Sequence, residues 1–248
     1  MNLKNNTVLI TGGSNGIGLA MAERFLQNGS EVIICGRRED KLASAKEKFP
    51  QLHTRVCDVG DESQRVALYE WASVEFPELN VLVNNAGIQQ RISFLDEKAT
   101  WDSIKNEIAI NYMAPLHLIK LFLAHLRKQA SPVIINVSSG LAFMPPVMAP
   151  VYGSTKAAVH SFTFSLRQQL SDFEVVEIIP PAVNTDLGGA DVHTAGVPLD
   201  EFANSVFADL AQNKIEIGYS YSLDSLDHTR RDMEGRASGF WKRMQNQV

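Results

Sequence analysis

Short apolar runs alternate with amphipathic stretches along most of the chain, and this alternation limits the possible folds more than any single motif does. Runs at 7–10, 31–35, 53–57, 80–83, 133–137 and 175–179 read as strands, with a last short one near 216–219. Helical patterns end at 27 and lie at 41–49, 61–76, 100–128, 151–170 and near 199–212. A strand that leads through a helix to the next strand must cross over, which makes the strands parallel. Val32-Ile33-Ile34 and Val133-Ile-Ile-Asn-Val137 are apolar at consecutive positions, as strands covered on both faces require. The expected fold is therefore α/β: a doubly wound parallel sheet of about seven strands with helices on both faces. Pro115 should bend or split the 100–128 helix.

A length of 248 residues suits one large α/β domain, and no repeat or linker divides it. The reading is a single domain over 1–248 with a polar C-terminal tail from about 220; the acid-rich stretch 224–234 reads as solvated surface. Apolar residues make up 45% and charged residues 21%, which excludes collagen-like, disordered and disulfide-knotted classes. A net charge of −5 argues against a nucleic-acid partner. The two cysteines, Cys35 and Cys57, fall on strands expected to be neighbours and suggest a reducing compartment. Residues 1–7 are polar, and the apolar run 8–10 is too short for an export signal. The apolar stretch 141–151 carries three prolines and is too short to span a bilayer, so no membrane and a cytoplasmic location are expected. Histidines 53, 117, 125, 160, 193 and 228 show no metal-ligand spacing, and His117 and His125 read as helix-face residues. Trp101 and Phe122 read as core or subunit contact.

Thr11-Gly-Gly-Ser-Asn-Gly-Ile-Gly18 links a strand to a helix. Gly12 permits the tight turn, Gly16 lets the backbone approach a pyrophosphate, and Gly18 lets the helix pack closely. The helix start presents free N–H groups to the anion. Gly12, Ser14, Asn15 and Ile17 are thus candidate dinucleotide contacts. Strand two ends Cys35-Gly36-Arg37-Arg38, without the carboxylate that binds an NAD ribose. A guanidinium suits a 2′-phosphate, so NADP(H) is preferred and NAD(H) is kept open.

Tyr152 and Lys156 stand four residues apart at the start of a helical pattern, on one face. A nearby ammonium should lower the phenol's pKa and make it a usable acid or base. Ser139 ends strand five, at the sheet edge where open α/β folds bind ligands, and its hydroxyl would stabilise charge growing on a carbonyl oxygen. Ser138 reads as a plain capping serine. Leu187-Gly188-Gly189-Ala190 suggests a mobile loop over the substrate. Leu141, Phe143, Met144, Val147, Met148 and Leu187 would wall the pocket, which favours a carbonyl or secondary alcohol with an apolar body.

Thr11-Gly-x3-Gly-x-Gly18, Asp58, Asn84-Asn-Ala-Gly87, Asn111, Ser139, Tyr152-x3-Lys156 and Pro180-Pro-x-Val-x-Thr185, in this order, resemble the short-chain dehydrogenase/reductase family over residues 5–186. Ser139-Gly-Leu-Ala-Phe143 and Tyr152-Gly-Ser-Thr-Lys-Ala-Ala158 are similar to its DltE-type bacterial members. The resemblance implies a Rossmann fold and an oxidoreductase that transfers hydride between nicotinamide and a carbonyl or alcohol. It implies that Tyr152 is the acid/base, that Lys156 assists it and holds the nicotinamide ribose, and that Ser139 orients the carbonyl. Asn111 would hold a relay water. Asp58 and Val59 would border the adenine, Asn85, Ala86 and Gly87 the adenosine ribose, and Val183 and Thr185 the carboxamide. Pro181 stands where the family has glycine, which removes a backbone donor. The family also implies a homodimer or homotetramer through the helices at 100–128 and 151–170. Two other readings use the same fold: a non-catalytic NADP(H)-binding sensor or interaction protein, and an enzyme that uses the cofactor only transiently.

Overall fold

The computed structural model describes residues 1–227, 231–232, 235 and 238–239. Seven strands, β1 Thr7–Thr11, β2 Glu31–Gly36, β3 His53–Val56, β4 Val81–Asn84, β5 Val133–Val137, β6 Glu174–Ile179 and β7 Glu216–Gly218, form one sheet. All neighbours pair in parallel, in the order β3-β2-β1-β4-β5-β6-β7. The order reverses between β1 and β4, so crossovers on either side of that point cover opposite faces.

Residue alternation divides the core into two layers. Val8, Ile10, Val81 and Val83 enter one layer, while Leu9 and Leu82 enter the other, all fully buried. Helices α1 Gly16–Gln27, α2 Glu39–Lys48 and α7 Leu199–Ala211 cover the first layer, where Phe25 meets Phe207 edge-on at 4.8 Å. Helices α3 Glu62–Glu75, α5 Ala114–Leu126 and α6 Pro150–Gln169 cover the second with Leu68, Phe122 and Leu166. Asp61 starts α3 by accepting the Gln64 N–H at 3.1 Å.

The helical run Trp101–Leu126 is unbroken at Pro115. It comprises α4 Trp101–Ile108, a π-helical turn Ala109–Met113, and α5. Pro115 has no N–H to donate to the Asn111 carbonyl, and the helix absorbs the missing bond in a widened turn rather than a break. The run is long and apolar enough to cross a membrane, but Ile110, Leu118, Ile119, Phe122 and Leu126 pack on the sheet.

Past β7 the chain stays folded where a tail was expected. Helix α8 Tyr221–Asp224 is followed by a 3₁₀ turn, Ser225–Asp227. Ser222 is fully buried and donates to the Ile179 carbonyl at 2.6 Å. Asp224, Asp227 and Asp232 are exposed; 228–230 and 233–234, and His228 with them, lie outside the described residues.

Candidate active site

Loops at the carboxyl ends of β1 to β4 surround a cavity of about 450 Å³ at the point where the strand order reverses. Gly12 has φ +65°, and a Cβ there would stand 2.8 Å from the Ala86 Cα. A Cβ on Gly18 would meet the Gly12 carbonyl oxygen at 2.4 Å. Asn85 secures the turn, its amide donating to the Thr11 and Gly12 carbonyls at 2.9 and 3.2 Å. The first turn of α1 holds no acidic residue, and Asn15 does not cap it with its side chain. Its amides face the cavity unneutralised, which fits a pyrophosphate.

Twelve of the expected cofactor residues line this cavity: Gly12, Ser14, Asn15, Ile17, Arg37, Arg38, Asp58, Val59, Asn85, Ala86, Gly87 and Thr185. Tyr152, Lys156 and Val183 do not; Val183 is buried and bridges Val197 through its backbone. Arg37 is half-exposed and stands 3.7 Å from the Asp58 carboxylate. Ile88, Gln89, Ile110, Leu187 and Gly188 also line it, and sequence reasoning did not name them as cofactor contacts. Ile88 and Gln89 directly follow the Asn84-Asn-Ala-Gly87 turn, a signal that could have found them.

Ser139, Tyr152 and Lys156 are buried, all at most 6% exposed, and the Lys156 ammonium stands beside Gly87 of this cavity. The Ser139 hydroxyl hydrogen-bonds Tyr152 and also accepts the Leu141 N–H at 3.1 Å, capping a 3₁₀ turn at Gly140–Ala142. The Lys156 ammonium donates to the Val137 carbonyl at 2.9 Å and lies 5.7 Å from the centre of the Tyr152 ring. Burial raises the phenol above its ordinary value; the Ser139 bond opposes this, and Glu107 and Tyr221 add to it. Burial lowers Lys156 to about 8, against the attraction of Glu107. The expected acidification of Tyr152 by the ammonium is therefore reversed in direction here. A shared helix face brings the two side chains together, with the ammonium bound to the Val137 carbonyl, and burial outweighs any help it gives the phenol.

Asn111 sits in the π turn. Its amide donates to the Ile88 carbonyl at 2.8 Å and to Thr155 at 3.2 Å, and its oxygen accepts the Ile88 N–H at 2.8 Å. Both amide hydrogens are spent on protein. Glu107, one turn earlier and 1% exposed, accepts the Gln90 N–H at 2.9 Å. Burial raises its carboxyl pKa. Glu107 was missed in the sequence, although its spacing from Asn111 places both on one helix face.

Ser138 is not a cap. It donates to Glu177 at 2.5 Å; this fully buried carboxylate also meets His160 at 2.9 Å and Arg167 at 3.9 Å. Glu177 holds His160 above its ordinary pKa. Cys35 and Cys57 are both free and buried, and the Cys57 thiol donates to the Gln64 carbonyl at 3.6 Å. His117 accepts from Arg65 at 2.9 Å, and Phe122 is core whereas Trp101 is 68% exposed. Among the described residues no group of three or more His, Cys, Asp or Glu is placed to hold a metal.

A second cavity, of about 670 Å³, is walled by Leu141, Met144, Pro145, Pro146 and Met148. Gln89 lines both cavities and joins them. Three of the expected wall residues lie elsewhere. Phe143 turns to the His160 ring at 4.5 Å, Leu187 lines the first cavity, and Val147 lines neither. Tyr221, from beyond β7, completes the pocket and takes the Ala182 N–H at 2.5 Å.

The short chain dehydrogenase family model matches residues 6–195. The chain is 49% identical over 243 residues to an uncharacterized oxidoreductase, DltE, of Bacillus subtilis, covering 94% of this chain and 96% of that one. Two solved structures share the fold. A short-chain dehydrogenase/reductase from Burkholderia phymatum, in complex with NAD, superposes with TM-score 0.85 at 19% identity, covering 94% and 96% of the two chains. A short-chain dehydrogenase from Sphingobium yanoikuyae, in complex with NADPH, gives 0.80 at 25% identity, covering 93% and 95%. Parallel sheet, glycine cradle and family match together show that this chain belongs to the short-chain dehydrogenase/reductase family, the NAD(P)-dependent oxidoreductases acting on CH–OH and C=O groups.

Proposed function

We propose that this protein is an NADP(H)-preferring carbonyl reductase, working on a ketone or secondary alcohol with an apolar body, in which Tyr152 exchanges the proton. The grouping of Ser139, Tyr152 and Lys156, with the Lys156 ammonium beside Gly87 of the cofactor cavity, carries the reading. Bound reduced nicotinamide supplies the hydride to the carbonyl carbon. Tyr152, kept protonated by burial, is a donor ready for the alkoxide that hydride addition leaves. Ser139 aims its hydroxyl at the same oxygen and stabilises the charge growing there. Lys156 remains mostly an ammonium at neutral pH, with a pKa of about 8, and offers its remaining protons to the nicotinamide ribose.

The absence of a carboxylate at the end of β2, with Arg37 and Arg38 both on the cavity wall, supports a 2′-phosphate. NADH remains a usable second cofactor. Replacing both arginines by serine should raise KM for NADPH about tenfold and leave that for NADH nearly unchanged. The central test is Tyr152→Phe with NADPH and a ketone panel: NADPH binding should persist while turnover falls by at least about 10²-fold. Wild-type turnover in that variant would refute the assignment.

A further inference from the structure

We infer that the second cavity selects carbonyl compounds that also bear a carboxylate, and that Arg91 is the residue that binds it. The inference deepens the function proposed above and rests on that reading for which end of the cavity holds the carbonyl.

Leu141, Met144 and Met148 offer the body of a ligand only apolar surface. Among the described residues lining the cavity there is no Asp or Glu. His193 is the other titratable base, and it hydrogen-bonds the Gln89 side-chain oxygen at 3.2 Å. Burial first, and then the nearby Arg91, lower its pKa, so it is neutral at pH 7. Arg91 thus supplies the single formal charge on the described wall. Its guanidinium reaches the Met148 sulfur at 2.9 Å, and a thioether is a weak acceptor that offsets no charge.

The placement gives the cavity a direction. Gln89 and Leu141 stand at the catalytic end, Gln89 by lining both cavities and Leu141 by its bond to Ser139. Arg91 follows two residues later, at most about 7 Å of extended chain further on. A planar guanidinium fork matches a carboxylate with two parallel bonds. Arg91 is itself exposed, so the attraction should be sensitive to salt.

The test is calorimetric titration of the NADP⁺-saturated protein with octanoate and with octan-1-ol, which share one apolar body. Octanoate should bind about tenfold tighter, with a preference that shrinks at high salt. Arg91→Met should abolish the preference and Arg91→Lys retain part of it. Equal or tighter binding of the alcohol to the wild type, or a preference for octanoate that survives in Arg91→Met, overturns the inference. The readout needs no turnover, so it decides the point even where no ketone is reduced. If no nucleotide binds, the same titrations on the free protein decide it.

Discussion

Glu107, Tyr152 and Lys156 are all buried, and Glu107 acts on the protonation of the other two, while Lys156 acts back on Glu107. The Glu107 charge raises both Tyr152 and Lys156. Glu107→Gln keeps an acceptor for the Gln90 N–H but removes that charge, so both pKa values should fall. The pH–rate profile should then shift to lower pH, and an unshifted profile would show that Glu107 only braces the backbone. Ser139→Ala should lower kcat about 10²-fold with little change in cofactor affinity, because its hydroxyl is needed mainly when charge develops. The Tyr152 and Lys156 pair was legible because helical periodicity alone puts them on one face. The direction of the Tyr152 shift was not, because burial is set by distant parts of the chain.

At the level of elements, the loop from β1 into α1 tolerates no added atom at Gly18. Gly18→Ala should cost about 3 kcal/mol and abolish nucleotide binding, measurable together by thermal unfolding with and without NADPH. Strand β6 and helix α6 are tied by Glu177 and His160, with Ser138, Arg167 and Glu216 grouped around them. The folded pKa of His160 lies above 6.5. The pair's contribution is therefore complete below about pH 6.5 and is lost as pH rises through the folded value. Unfolding temperature should fall over that interval, and His160→Phe should flatten the dependence while costing about 2 kcal/mol at pH 6. Element order and strand faces were readable from periodicity. The π turn was not, because Pro115 announces a missing bond without saying whether the helix breaks, bends or widens around it.

Across the whole molecule, large apolar side chains stand exposed on one layer of helices, among them Trp101 at 68%, Met113 at 53% and Phe164 at 57%. They lie on the helices through which the family resemblance implies pairing of subunits, and we propose that they meet a second copy of the chain. On that proposal Phe164→Glu should give a smaller species than the wild type in size-exclusion chromatography, with α6 still folded by circular dichroism; equal elution of the two would refute it. Assembly could not be read from the sequence, since the same residues would serve a buried core equally well; Phe122, equally apolar, is wholly inside. The contribution of Tyr221 and Ser222 was hidden in a segment without periodicity. Their position has a consequence for biosynthesis. Tyr221 holds the Ala182 amide and Ser222 the Ile179 carbonyl, yet both leave the ribosome after every strand of the sheet. The residues of the nucleotide cradle are therefore synthesised before those that complete the second cavity, and a stop codon at position 219 should yield a protein that holds dinucleotide while that cavity is left unfinished, which dinucleotide titration of the truncated protein would check.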